Sequence, residues 1–141
     1  MNILFFMYIV IISLTISLTW TIIGRNEYSY NRKFPKFFGV NSFPLAGWTI
    51  GLVVIMVLYY YLENLLQIKL FYYQFLFFLL LYWTLLFALE YVGYHILNIR
   101  NNGKMNYKGL PLIDVIHVVW WMKIVYLSLG PIMFIVCKLI L

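Results

Sequence analysis

The chain has 141 residues, 65% of them hydrophobic and only 10% charged, with ten Lys and Arg against four acids and a net charge of +6. Soluble domains average about half apolar and about a quarter charged residues, so a chain of this makeup could not cover its surface in water. The basic residues gather in two loops, not on a helix with aromatic stacking platforms, and nucleic acid is excluded as the partner in favour of anionic lipid headgroups.

The expectation is an all-α integral membrane protein of one domain, residues 1–141, with four transmembrane helices in an antiparallel bundle. The first span is "ILFFMYIVIISLTISLTWTII", residues 3–23. It has no basic n-region and no small-residue cleavage site after it, which argues for a retained helix over a cleaved signal peptide. Ser13, Thr15 and Thr19 can bond its own backbone or a neighbour. Between this span and the next lies "NRKFPKFFGVNSFP", which mixes cations with Phe and suits the headgroup layer.

The second span covers residues 45–66, with Pro44 placed where a helix start tolerates a missing N–H. Its "GWTIG" puts Gly47 and Gly51 four apart, a pattern that permits close helix contact inside the chain or between chains. Glu63 and Asn64 read as its solvated end. The third span covers 70–97. The polar stretch "NIRNNGKMNYKG" follows it as a turn-forming loop, and the fourth span is read as 111–140, opened by Pro111. Pro131 lacks the N–H that the Leu127 carbonyl would accept, which predicts a kink. Cys137, the one cysteine, excludes an internal disulfide and reads as a small buried apolar residue. No run alternates with period two, so a lipid-facing barrel is disfavoured.

The loop from Gly24 to Phe43 holds Arg25, Arg32, Lys33 and Lys36, and the loop from Asn98 to Gly109 holds Arg100, Lys104 and Lys108. The other side has only Lys69 and Lys138. This asymmetry puts both basic loops on the cytoplasmic or matrix side and both termini opposite. The Ile-, Asn-, Lys-, Phe- and Tyr-rich composition fits an AT-rich genome, hence a bacterial cytoplasmic membrane or an organellar inner membrane.

Ionisable groups inside the spans are expensive in lipid and are functional candidates by default. Counted back from the third loop, His95, His117, Glu90 and Lys123 lie about three, five, eight and eleven residues in, so neighbours differ by about 3 to 5 Å in depth. This pairs Glu90 with Lys123 and brings His95 to Asp114 or His117. Asp114, His117, Trp121 and Ser128 share one helical stripe, while Glu90 shares another with Gly93, Tyr94 and Leu97. The favoured core is Glu90, Asp114 and His117, with His95 and Lys123 at its margin. Each residue also has a structural reading: Asp114 as a first-turn dipole partner, the others as helix-to-helix hydrogen bonds. Trp120 and Trp121, placed deep by this count, read as packing or a ligand wall.

Three functions follow. The leading one is a small accessory or structural subunit of a larger membrane complex, in contact with lipid and with other membrane subunits or copies of itself. Four helices with short loops leave little room for an enclosed cavity, and the third helix is apolar around nearly its whole circumference. The second is a compact membrane enzyme in which Glu90, Asp114 and His117 exchange protons with a lipid-soluble substrate and Lys123 stabilises negative charge. The third is an oligomeric transporter or proton-relay subunit. "DVIH" with Glu90 makes a weak zinc or iron set of Glu90, Asp114 and His117, and His95 with His117 a weak haem pair. The residues name no cofactor.

Overall fold

A computed structural model describes residues 3–27, 30–37, 39–100 and 107–140. Lys104 and the centre of the second basic loop lie outside them, as do Tyr28, Ser29 and Phe38. Four helices are long and apolar enough to cross a membrane. These are α1 (Ile3–Ile23), α2 (Ser42–Leu66), α3 (Phe71–Tyr91) with its π-helical extension Val92–Ile96, and α4 (Trp120–Ile140). Two short antiparallel strands, β1 (Lys36–Phe37) and β2 (Val40–Asn41), pair in the first basic loop.

Backbone groups in hydrocarbon must be satisfied within the protein, which continuous apolar runs achieve as helices. Their ends follow local chemistry. Asn41 caps α2, its side chain accepting from the Phe43 N–H at 3.0 Å. Gln67 closes the same helix in the left-handed conformation at φ 53°, its N–H donating to the Glu63 carbonyl. On α1, Ile9, Ser13, Ser17, Trp20 and Thr21 form the buried side. Ser13, Ser17 and Thr21 recur every four residues, a small-residue stripe that lets the backbones approach. Thr15 bonds the Ile11 carbonyl in its own helix at 2.9 Å.

The core is aromatic where the helices converge, at the ends away from the basic loops. The Phe134 ring of α4 sits 5.3 Å from Tyr59 of α2 and 5.0 Å from Phe78 of α3. There Glu63 pairs with Lys138 at 2.9 Å, and Lys138 also lies over the Tyr59 and Tyr60 rings. Glu63 is thus a shielded ion-pair partner instead of a solvated helix end; its side chain is 13% exposed. Cys137 is buried against Met133.

Two expectations need correction. α4 begins at Trp120 instead of 111. Residues Leu110–Val119 include five β-branched residues, which lose side-chain freedom in a helix, and the backbone closes on itself. The Leu110 N–H donates to the Val115 carbonyl at 2.8 Å and the Asp114 N–H to the Leu110 carbonyl at 3.0 Å. Trp120 and Trp121 therefore stand at the start of α4, with Trp120 73% exposed and Trp121 edge-on to Trp20. Pro131 lies inside α4.

The proline's effect is absorbed by α3. The Leu127 carbonyl, which Pro131 cannot serve, accepts from the Trp83 indole N–H at 3.1 Å. One residue earlier, the Tyr82 hydroxyl donates to the Tyr126 carbonyl. The Tyr82 ring lies so close to Gly130 that an added Cβ would stand 2.4 Å from it. Trp83→Phe should therefore lower stability by about 1 kcal/mol in reversible unfolding in mixed micelles. Pro131→Ala restores the missing N–H, so Trp83→Phe should cost nearly nothing in that background. Equal costs in both backgrounds would refute the indole's role.

Candidate functional site

Near the basic loops α2 and α3 part, and a cavity of about 570 Å³ lies between them. Three glycines line it: Gly47 and Gly51 of α2 and Gly93 of the π turn. A Cβ at any of them would meet nothing within 4 Å. The close contact that "GWTIG" permits is thus unused within the chain. The space is of ligand size but open on one side, and no residue of α1 lines it. Binding sites for small molecules are about 300 to 1,000 Å³ and mostly apolar, with a few polar groups converging.

Two such groups belong to the predicted set. Glu90 lines the cavity from α3, and so do Gly93, Tyr94 and Leu97, the rest of its stripe. Its carboxyl has no hydrogen-bond or ion-pair partner among the described residues. His117 lines the cavity from the folded-back segment before α4, and its side chain is 6% exposed.

Asp114 holds His117 in place. Its Oδ1 is 3.0 Å from His117 Nε2, and its side chain is 65% exposed. A carboxylate only accepts, so Nε2 carries the proton and Nδ1 keeps a lone pair. Nδ1 is buried without a hydrogen-bond partner. The Tyr94 ring stacks on the imidazole, with centroids 3.5 Å apart and planes within 4°. His95 reaches the same aspartate, its Nε2 lying 3.4 Å from Oδ2 and 3.0 Å from the main-chain oxygen.

The segment carrying Asp114 and His117 is tightly wound. Asp114 and Ile116 have φ of 44° and 59°. The left-handed region is unfavourable for a β-branched residue such as Ile116, and strain of this kind collects at functional sites. Gly109 allows the closure, since a Cβ there would lie 2.7 Å from Asp114 Oδ1. Lys123 pins the closed loop from below, its ammonium donating to the Lys108 carbonyl at 2.6 Å and the Gly109 carbonyl at 3.1 Å.

Lys123 therefore does not pair with Glu90 and does not line the cavity. The depth count failed because it assumed a helix from residue 111. Without that helix, the shared stripe of Asp114, His117, Trp121 and Ser128 also dissolves, and so does the first-turn reading of Asp114. His95 does reach Asp114, as expected, but not by the helical count that placed it there. The π turn, in which the Leu97 N–H donates five residues back to the Val92 carbonyl, breaks the 100° count beyond Tyr91. Among the described residues no three His, Cys, Asp or Glu side chains gather as a metal site. Asp114 and His117 meet, but Glu90 stands apart from them. The Nε2 atoms of His95 and His117 are both turned onto the Asp114 carboxylate.

The sequence did not single out Trp48, Tyr30 or the stacking of Tyr94 on His117. Trp48 lines the cavity and meets Tyr126 edge-on at 4.6 Å. The rim is fastened by the first basic loop. Arg32 donates to the Leu97 carbonyl at 2.8 Å, and Asn31 bonds the Asn98 carbonyl and the Arg100 backbone. The Arg100 guanidinium lies over the Tyr94 ring at 4.9 Å.

No family model, curated protein or solved structure matches the chain.

Burial pushes the His117 imidazole below its ordinary value. The hydrogen bond and charge of Asp114 pull it partly back, while His95 and Lys123 add to the lowering. The unfolded chain thus takes up a proton near pH 6.5 that the folded chain refuses until lower pH. The stabilisation is full above that value and is lost as pH falls through it towards the folded value. Melting in detergent from about pH 7.5 to about pH 5.5 should show Tm falling with acid, and His117→Gln should flatten most of the fall. An identical pH profile for both proteins would refute a buried neutral imidazole.

Proposed function

We propose that this chain is an integral membrane protein that binds a lipid-soluble molecule between α2 and α3 and exchanges protons with it. His117 is the base, Asp114 holds its tautomer and orientation, and Glu90 is the second proton-exchanging group. One observation carries this reading. A ligand-sized apolar cavity is lined by both an unpartnered carboxyl and a histidine whose free nitrogen is buried without a partner. Such groups are costly in hydrocarbon when unpaired, and a bound polar group would satisfy the Glu90 carboxyl. Lys123 leaves the catalytic set and keeps a positioning role at the loop. The asymmetry of basic residues supports basic loops on the cytoplasmic or matrix side of a bacterial or organellar inner membrane.

The test is a comparison of total lipid extracts from cells expressing the wild type, Glu90→Gln or His117→Ala, with membrane-inserted protein levels matched. The wild type should change the amount of at least one lipid-soluble compound, and each variant should lose at least nine-tenths of that change. Indistinguishable extracts from all three would end the enzymatic reading.

A second reading, an accessory subunit of a larger membrane assembly, is favoured by one feature. Gly47 and Gly51 present a close-approach surface that nothing in the chain occupies. Extraction in mild detergent should then yield a stoichiometric membrane partner, or a homo-oligomer, that Gly51→Leu releases. A lone monomer would refute it.

A further inference from the structure

The shape and polarity of the cavity narrow the class of molecule it takes. Its wall on α2 runs from Phe43 to Ile55 and its wall on α3 from Tyr82 to Tyr94, each about 18 Å at 1.5 Å per residue. This is close to the depth of one leaflet, half of a hydrocarbon core of about 30 Å. The long axis follows the helices, parallel to lipid chains.

Polarity changes along that axis. The end near the basic loops holds Tyr30, Tyr94, His117 and, slightly deeper, Glu90. The inner end is Leu52, Val54, Ile55, Leu85 and Leu86, with Tyr82 spending its hydroxyl on the Tyr126 carbonyl. Gly47 and Gly51 leave part of the α2 wall without a side chain between the two ends, and Gly93 does the same on α3 at the polar end. Ile50 and Val54 on one wall and Leu89 on the other are 62%, 53% and 62% exposed. The rim thus meets the apolar surroundings sideways, which gives a lipid a route in from the bilayer.

Charge restricts the polar end. No lysine or arginine lines the cavity among the described residues, and its one ionisable acid is Glu90. The nearest cations are committed: Arg32 to the Leu97 carbonyl, Lys123 to two loop carbonyls, Arg100 over the Tyr94 ring. A phosphate would face the Glu90 carboxyl without a lining cation of its own. A hydroxyl would not. It can donate to the unpartnered Glu90 carboxyl and still accept.

From these features we infer that the molecule bound between α2 and α3 is a single-chain lipid alcohol of the basic-loop leaflet. Its hydroxyl lies at Glu90, at the cavity's polar end, and its chain runs along the glycine-lined slot. This rests on the proposed acid–base reading for the purpose of the site, but not for its shape.

The test uses the full chain in lipid nanodiscs. The probes are a long-chain alcohol, the alkyl phosphate and the alkylamine of the same chain, and an alcohol carrying a diazirine at its chain end. The alcohol should bind saturably and at least tenfold more tightly than the phosphate or the amine. Photolysis of the wild-type complex should label the inner wall, within residues 52–55 or 82–86. Gly51→Leu, and more mildly Gly51→Ala, should weaken the alcohol by tenfold or more without altering Tm by more than a few degrees. Equal or tighter binding of the phosphate or the amine overturns the inference, and so does labelling confined to the outer helix faces. A co-purifying helix that blocks labelling overturns it in favour of the subunit reading. The two proposals separate cleanly. Lipid conversion that needs Glu90 and His117 but survives Gly51→Leu removes the slot and keeps the chemistry. Slot labelling without any change in cellular lipids keeps the slot and removes the chemistry.

Discussion

Two hydrogen bonds from α3 to the backbone of α4 organise this molecule. The Tyr82 hydroxyl and the Trp83 indole N–H end on the carbonyls of Tyr126 and Leu127, in the turn where Pro131 has removed a helical donor. A carbonyl left bare in hydrocarbon is costly, so this patch of α4 draws donors from its neighbour. Gly130 lets the Tyr82 ring lie against the backbone. The outcome is a fixed junction between α3 and α4 midway along their length, reinforced beyond it by the Phe78 and Phe134 rings.

The cavity follows from that junction. α3 is committed to α4, and α2 joins them mainly through Tyr59 at the far end and Trp48 against Tyr126. Above those contacts nothing draws α2 to α3, because the facing positions include Gly47, Gly51 and Gly93. The space that remains is apolar by lining, yet it meets two polar groups without partners. Asp114 is mostly exposed while the imidazole it holds is almost wholly buried. The pair thus joins water on the basic-loop side to the interior of the cavity, an arrangement suited to moving a proton across the boundary.

Much of this was legible in the residues, and the failures share one cause. Four apolar helices came from the length and apolar character of the runs, and four are found in the structure, the fourth shorter than its run. Asp114 and His117 were also paired correctly, but for the wrong reason. They meet across a wound loop, not on a helical face. Five β-branched residues between Leu110 and Val119, flanked by Gly109 and Pro111, were a readable warning that apolar continuity is not the same as helix. The π turn at Val92–Ile96 left no comparable trace. The carbonyls just after it are bonded by Arg32 and Asn31, which arrive from a loop more than sixty residues earlier.

The sequence by itself determined the solvent and the elements. A chain two-thirds apolar with most of its charges in its loops must satisfy its backbone internally, and helices of about twenty residues are the available way. Only the tertiary structure decided which polar groups find partners. Lys123 turned to loop carbonyls and Lys138 to Glu63, Trp83 took the carbonyl that Pro131 had freed, and Glu90 was left alone in a cavity. Pairing of that kind depends on distances between segments far apart in the chain, and those distances are set by packing, which periodicity along one helix does not encode.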